Sequence, residues 1–474
     1  MTPWIALAAA LALPHHEEIA PGVHAAGFSA KYRDSNSGWI AMKNDTLLID
    51  LPRGISAAEY LTVVEKSTGK PARRLILTGA GANGEAGGGA ADASVHQTLL
   101  AAFKARGIET ITAAEGVRYL PFPGGAAVFH TQTKTLFGGP FVVHGPRKGL
   151  AKTDTASLAA TLRKLEELSP AHVVPGFGTW GGPRVLTRHR KFVEELRRQV
   201  AYFVCQDKPH DSLQKEIAMP AEYQAWMPYD NPQPDEIEHV YRELTVPAAP
   251  FNGRAPVPGD RKTHALVLIG DLPHEPGHLE EGLRPVFEAT GVEAHFTVDI
   301  RALSAENLAK VQLLVILRDG LMRPNTTWMT PAQERAIVDF VEGGKAFLNL
   351  HNSMGLYPAG GPYLNLVGGR YIGHGPLERF RVEVVDPNHP ITRGVADFFA
   401  ADEQHTPPYD EKKVHLLLRN RSDEGKSVAA AGWAYEPGKG RLCHLANGHT
   451  RDALHHPMNQ LLMRNAVNWC LRRE

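Results

Sequence analysis

The sequence predicts two α/β domains in series, and three observations carry that expectation. Ahead of residue 246, strand-like runs come first and helix-like runs come last. A stretch rich in Pro, Gly and Ala then interrupts the chain. Beyond it, strands and helices alternate, the rhythm of a doubly wound parallel sheet covered by helices on both faces.

The elements follow in order. MTPWIALAAALALP has an apolar core of signal-peptide length but no basic flank. Residues 1–19 are read as a signal-like segment, which implies a periplasmic or secreted protein, or a cytoplasmic one if the segment is no signal. No later run is long and apolar enough for a membrane span. The first domain, 20–245, opens with the strand-like GWIAMK, DTLLIDL, RRLILT and AAVFHTQTKTLF. It closes with the helix-like DTASLAATLRKLEEL and RHRKFVEELRRQVAYFV. The linker, 246–262, contains VPAAPFNGRAPVPGD, with few large apolar residues. The second domain, 263–474, starts with the buried strand THALVLIGD, the helix HLEEGLRPVFEAT and the strands VEAHFTV and VQLLVIL. A helix follows over 330–344. Thr330 caps it, Pro331 takes its first position, Gln333 completes a capping box and Gly343-Gly344 end it. KAFLNLH is the next strand. Ligands of such sheets bind at the carboxyl ends of the strands, which puts His351 at a privileged point.

Composition narrows the chemistry. A formal net charge of zero over 474 residues gives no electrostatic footprint for nucleic acid. The 23 histidines direct attention to metal sites, whereas three widely spaced cysteines form neither a disulfide framework nor a thiolate zinc site.

In the first half, SNSGWIAMKNDTLLIDLPRG, LTGAGANGEAGG, KTLFGGPFV and HVVPGFGTWGG together resemble the metallo-β-lactamase fold. The resemblance implies an αββα sandwich whose loop after the third strand-like run normally reads Thr-His-x-His-x-Asp-His. Here Thr78 matches, but Gly79, Gly81 and Gly84 stand where His is expected and Asn83 where Asp is expected. Gly139 replaces a further Asp, and Phe177 replaces the last His. Zinc needs three or four N, O or S donors at about 2 Å. This domain is therefore expected to hold no metal and to have no metallo-hydrolase activity. His130 and His144 lie nearby, and neither has a partner at metal-ligand spacing.

In the second half, FVEGGKAFLNLHNS, YLNLVGGRYIGHGP, VEVVDPNHPITRGV, FFAADEQH, GWAYEPGKGRLCHLANGHT and LHHPMNQLLMRNAVNWC resemble, in order, the trehalose-utilisation or ThuA-like family. That implies a flavodoxin-like, class I glutamine-amidotransferase-like fold. No cysteine stands at the nucleophile position, where the chain reads Leu350-His351-Asn352-Ser353, so thiolate chemistry is excluded. Cys443 and Cys470 are expected to be core thiols. Ser353 would need a base beside it.

What remains is a His/carboxylate set at or beyond strand ends: His351, His374, Asp402, Glu403 and His449. Two or three His plus a carboxylate is the ligand count of a catalytic zinc or similar divalent ion, and His351, His374, Glu403 and His449 are the expected ligands. The same set without metal suits acid/base work, with His351, Asp402, Glu403 and His449 catalytic. His274, His278, His405 and Arg441 are candidates for substrate contact. His389 is expected to bond backbone in a turn, and His455 and His456 to face solvent.

The resemblance implies a small carbohydrate ligand: a sugar, keto-sugar or keto-glycoside handled by metal- or His-assisted acid/base chemistry, with the first domain as scaffold. The alternative is a non-catalytic carbohydrate-binding or assembly protein. Donor atoms of His351, Glu403 and His449 within about 5 Å of a common point would favour the enzyme, because metal bonds are near 2 Å.

Overall fold

The computed structural model describes residues 15–27, 36–51, 55–79, 90–122, 125–144, 154–224, 234–245, 256, 261–322, 326–422, 425 and 427–474. The chain forms two compact units. One comprises residues up to Leu196 with Ala218–Glu236, the other Arg197–Ile217 with Ile237–Glu474. Residues 197–217 and 237–245, read from sequence with the first domain, thus pack in the second unit. The Arg318 guanidinium contacts the Cys205 thiol of the first segment, and the 3.0 Å ion pair of Arg197 with Glu243 holds the two segments to each other. The apolar part of the signal-like segment and nearly all of the expected linker lie outside the described residues. The segment's last residues, however, belong to the first strand, His15–Ala20.

In the first unit, β1 (His15–Ala20), β2 (Val23–Gly27), β3 (Ser37–Ala41), β4 (Thr46–Ile49), β5 (Ala72–Ile76) and β6 (Glu109–Thr110) form one sheet in sequence order. β7 (Val117–Phe122), β8 (Gly125–His130), β9 (Thr135–Phe137) and β11 (His172–Val174) form a second sheet, ordered β11-β9-β8-β7. β10 (Val143–His144) and β12 (Phe177–Gly178) form a short parallel pair. Val23, Ala25, Ile40, Leu47 and Ile49 of the first sheet pack on Val128, Phe137 and Val174 of the second. The helices Ala57–Thr68 and Ala90–Lys104 cover the other face of the first sheet, through Tyr60, Leu61, Val64, Leu99 and Phe103. The helices Thr155–Glu167 and Arg184–Cys205 are tied together by Arg190–Glu166 at 3.0 Å and Arg163–Glu194 at 2.6 Å. The plan is the αββα sandwich that the sequence led us to expect.

The second unit is built on one nine-stranded sheet, ordered β14-β13-β15-β18-β23-β22-β21-β19-β20. Its strands are β13 (Thr263–Ile269), β14 (Val292–Thr297), β15 (Leu313–Leu317), β18 (Ala346–Leu350), β19 (His374–Val384), β20 (Phe398–His405), β21 (His415–Ser422), β22 (Val428–Tyr435) and β23 (Arg441–Leu445). A two-strand ribbon, β16 (Leu321–Met322) with β17 (Thr326–Thr327), stands apart. The first five strands of the sheet are parallel, as the βαβ rhythm requires. The other four are antiparallel, so the sheet is mixed rather than wholly parallel.

Alternation along β13 sorts the core. Ala265, Val267 and Ile269 face the helices Pro276–Thr290 and Pro457–Cys470, while Leu266 and Leu268 face the helices Pro331–Glu342 and Pro362–Val367. Thr330 and Gln333 form the expected capping box. Because β18 ends where the helix-capped βαβ run ends, His351 emerges at the carboxyl edge of the parallel strands.

One partly buried carboxylate in the first unit makes a measurable demand. Thr78 donates to Asp50 through its backbone N–H at 2.7 Å and its hydroxyl at 2.5 Å, fixing the start of the Gly-rich loop. Burial nevertheless pushes the Asp50 carboxyl from 3.8 up to about 6, the Thr78 bonds opposing it. A folded value above the unfolded one means that the protonated form stabilises the fold below about pH 4 and that this contribution is lost as pH rises through about 6. The rise corresponds to about 3 kcal/mol. Urea unfolding at several pH values should therefore show stability falling between pH 4 and 6 in the wild type, and a flatter profile in Asp50→Asn. An equal slope in both would exclude this residue as the cause.

Candidate functional site

Four side chains meet at the carboxyl edge of the parallel strands. The potential ligand atoms of His274, His351, Glu403 and His449 all lie within 4.8 Å of one another. His274 Nε2 is 3.1 Å from His351 Nε2 and 2.9 Å from His449 Nδ1. Glu403 Oε2 is 3.3 Å from His449 Nδ1 and 3.6 Å from His351 Nε2. Tetrahedral ligands at zinc–donor distances of 2.0–2.1 Å are about 3.3 Å apart, so these four separations fit the edges of such a shell.

The chain fixes each donor from behind. His351 follows β18 with φ +49, a left-handed backbone that turns its ring inward. Its Nδ1–H donates to the Ala446 carbonyl at 2.8 Å, which leaves the Nε2 lone pair facing the cluster. His274 sits in the turn after β13. Its Nδ1–H donates to Asp271 at 2.5 Å, leaving Nε2 facing inward. Asp271 is itself held by the Asn352 amide and the Asp319 backbone N–H, each at 2.9 Å. His449 lies in the turn after β23, and Asp402 shapes that turn by accepting from the backbone N–H groups of Gly448 at 2.8 Å, His449 at 3.1 Å and Thr450 at 3.2 Å. Asp402 is fully buried and outside the donor set, so its part is to position His449. Burial pushes its carboxyl up to about 7, against the backbone N–H groups of Glu403, Gly448 and Thr450.

The electrostatics leave the cluster short of positive charge. Burial, then the neighbouring His405, holds His351 well below its ordinary value. Burial, then His274, brings His449 down to about 4. Burial also disfavours charge on His274, but the Asp271 carboxylate more than offsets it and raises His274. Burial would raise Glu403, yet its bonds to His351 and His405 keep it far below the carboxylate range. Near neutral pH the set is two neutral imidazoles, an imidazole inclined to protonate and an anion. One proton on His274 Nε2 can satisfy either His351 or His449 but not both, whereas a divalent cation satisfies all four donors at once.

The other expected residues fall as follows. His274, read as a substrate contact, takes the place in the donor set that sequence gave to His374. His374 is one step outside: its Nε2 is 3.6 Å from Glu403 Oε1, its Nδ1–H donates to the Gly375 carbonyl at 2.5 Å, and its ring is partly exposed. His405 stacks on His351 with ring centres 4.2 Å apart and places Nε2 3.4 Å from Glu403 Oε2. His278 donates to the His449 carbonyl at 3.1 Å, supporting that turn. Arg441 is corrected: it pairs with Glu436 at 3.0 Å and Glu474 at 2.5 Å and stacks on Trp469, at the amino end of β23, the far end of the strand from the cluster. Asp402 and Glu403 lie inside β20, not at a strand end.

Ser353 is not a poised nucleophile. It is fully buried, its hydroxyl lies 2.6 Å from the carbonyls of both Ile316 and Leu350, and it accepts from Arg318 N–H. Cys205, Cys443 and Cys470 are buried thiols, and burial raises all three. His389 caps the turn by accepting from Ile391 N–H, and His456 caps the last helix by accepting from Met458 N–H; it is half-buried rather than solvent-facing, while His455 is exposed. Asp271, Asn352 and Asp319 were missed. The Asp-x-x-His spacing of Asp271 and His274 was the available signal for the first.

In the first unit, Gly81, Asn83 and Gly84 lie outside the described residues. Gly79 bridges Gly125, and Phe177 is buried. Gly139 has φ +62, and a Cβ there would meet the Thr78 hydroxyl and the Ala126 carbonyl, each at 2.6 Å. The Ala126 carbonyl and the Thr78 side chain together close the space an acidic side chain would need.

Residues 264–470 match the ThuA family, described as trehalose utilisation. No curated protein matches the chain. Among solved structures, a ThuA-like protein from Bacteroides uniformis is 20% identical, covering 45% of this chain and 94% of its own, with a TM-score of 0.37. A ThuA-like protein from Parabacteroides merdae is 13% identical, covering 44% and 90%, with a TM-score of 0.38. A metallo-β-lactamase from Erythrobacter litoralis, in its mono-zinc form, is 16% identical, covering 39% and 98%, with a TM-score of 0.29. Residues 264–470, the stretch that matches the ThuA family model, carry all four residues of the His/Glu cluster.

Proposed function

We propose that the ThuA-like domain is a divalent-metal enzyme acting on a keto-sugar or keto-glycoside, with the first unit as a metal-free scaffold. The observation that carries the reading is the convergence of His274, His351, Glu403 and His449 with separations near those of a tetrahedral shell. The sugar class rests on the family match. A bound divalent ion would supply Lewis acidity at the substrate carbonyl oxygen.

The chain's own residues would move the proton. His374 offers a partly exposed Nε2 lone pair beside Glu403 Oε1. As base it takes the proton α to the carbonyl. The C–H electron pair becomes the enolate, which either takes that proton back from His374 at the former carbonyl carbon while the α-hydroxyl proton passes to the former carbonyl oxygen, giving isomerisation, or expels the aglycone from the β carbon as an alkoxide that takes the proton from His374, giving elimination. Glu403 stabilises the imidazolium formed on His374. Asp271 and the Ala446 carbonyl fix which nitrogens of His274 and His351 face inward.

Two outcomes test the reading. Chelator-treated protein should lose turnover of a keto-disaccharide and regain it on addition of zinc or manganese, and His351→Ala with His449→Ala should abolish it. Undiminished turnover in that double variant would sink the proposal. Absence of turnover with retained sugar binding would instead support a carbohydrate-binding role. Separately, Asp271→Asn should weaken metal affinity by about 10–100-fold, while His374→Ala should leave affinity unchanged and lower kcat by roughly a hundredfold. A fall in metal affinity in His374→Ala would return that residue to the ligand set.

A further inference from the structure

A second group of donors lies on the same sheet, away from this cluster. It consists of His264, Glu293 and His295, whose potential ligand atoms all lie within 4.8 Å of one another. The parallel pairing of β13 with β14 sets it up. His264 is registered opposite Glu293, and His295 is two residues further along β14, so all three side chains project from one face. That face also carries Leu266 and Leu268. His264 lies at the amino end of β13, five residues before Ile269, so roughly 17 Å of strand separates it from the carboxyl edge where His274 begins the first cluster.

The geometry is that of a tripod. His264 Nδ1 and His295 Nε2 face each other at 3.0 Å, with the rings 5.3 Å apart and 21° from parallel. Both rings are buried, and Glu293 is half-buried at their side. The Gln312 carboxamide accepts from the His264 backbone N–H at 2.8 Å and so anchors the strand at this point. Two ring nitrogens this close need a proton or a cation between them, and ligands on a tetrahedral ion stand about 3.3 Å apart. Lys262 bonds Glu293 Oε2 at 2.8 Å through a side chain that is 66% exposed.

We propose that His264 Nδ1, His295 Nε2 and the Glu293 carboxylate form a second binding site for a zinc-class divalent cation, joining the edge strand β14 to β13. The donor set is two imidazoles and one carboxylate, which suits zinc and its borderline neighbours and leaves a fourth position for water. Lys262 is then a competitor for Glu293, displaced as the cation enters. Because only the folded sheet brings the three donors together, occupancy stabilises the fold.

The test uses the full-length chain carrying His351→Ala and His449→Ala, which removes two of the first cluster's four donors. Zinc alone is the probe, followed by calorimetric titration and by melting temperature. One equivalent should bind and raise the melting temperature. Glu293→Gln in this background should weaken affinity by at least tenfold. Lys262→Met should strengthen it by about two- to fivefold, the worth of an exposed ion pair. That gain is a result that a merely structural His pair would not give. No zinc uptake by the His351/His449 variant, or affinities unmoved by both Glu293→Gln and Lys262→Met, would overturn the proposal.

Discussion

The parallel pairing of β18 with β23 is the constraint on which the candidate site depends. It aligns Leu350 with Leu445, so the chain leaves both strands at the same level. His351 is then the next residue on one side, and Ala446 the next on the other, and the imidazole bonds across to that carbonyl. The turn that follows β23 carries His449 back towards His351. Hydrophobic burial of Leu348, Leu350, Cys443 and Leu445 fixes this register, since a slip of one residue would turn apolar side chains out of the core. Apolar packing beneath the sheet therefore sets the angle between two polar groups at its edge.

Polar support is arranged in layers around that frame. Asp271 orients His274, and Asn352 with the Asp319 backbone orients Asp271. Asp402 gathers three successive N–H groups of the 448–450 turn. Each buried carboxylate answers a backbone or imidazole donor, which is the condition for keeping such groups out of water. Asp319 shows the cost: burial, then the charge of Asp271, pushes its carboxyl up to about 7.

Much of this was legible in the sequence. The βαβ rhythm gave the parallel strands, and the strand-end rule together with the family resemblance pointed to His351 and His449. The exchange of His274 for His374 was not legible, because ligand choice depends on how a turn closes, and only the bond to Asp271 swings His274 inward. Glu403 lies four strands away from β23 in the sheet order, so its approach to His351 requires the antiparallel half to coil back over the parallel half. Such coiling is a property of the whole sheet and leaves no local mark. Arg441 was misplaced for a simpler reason. It begins its strand, and a residue there stands at the end opposite the ligand crevice.

Asp402 and Glu403 are neighbours in one strand with opposite tasks. Side chains alternate along β20, so one carboxylate goes to the 448–450 turn and the other to the three imidazoles. β20 is also the outermost strand, paired only with β19, and that pairing already contains an irregularity between His374 and Leu377. A one-residue slip of this hairpin would exchange the two acids, and would also turn Phe398 and Ala400 out of the core. The site thus acts as a proofreader of its own edge: a chain that has zipped up one notch out of step would look folded in its helical and strand content, yet be chemically mute.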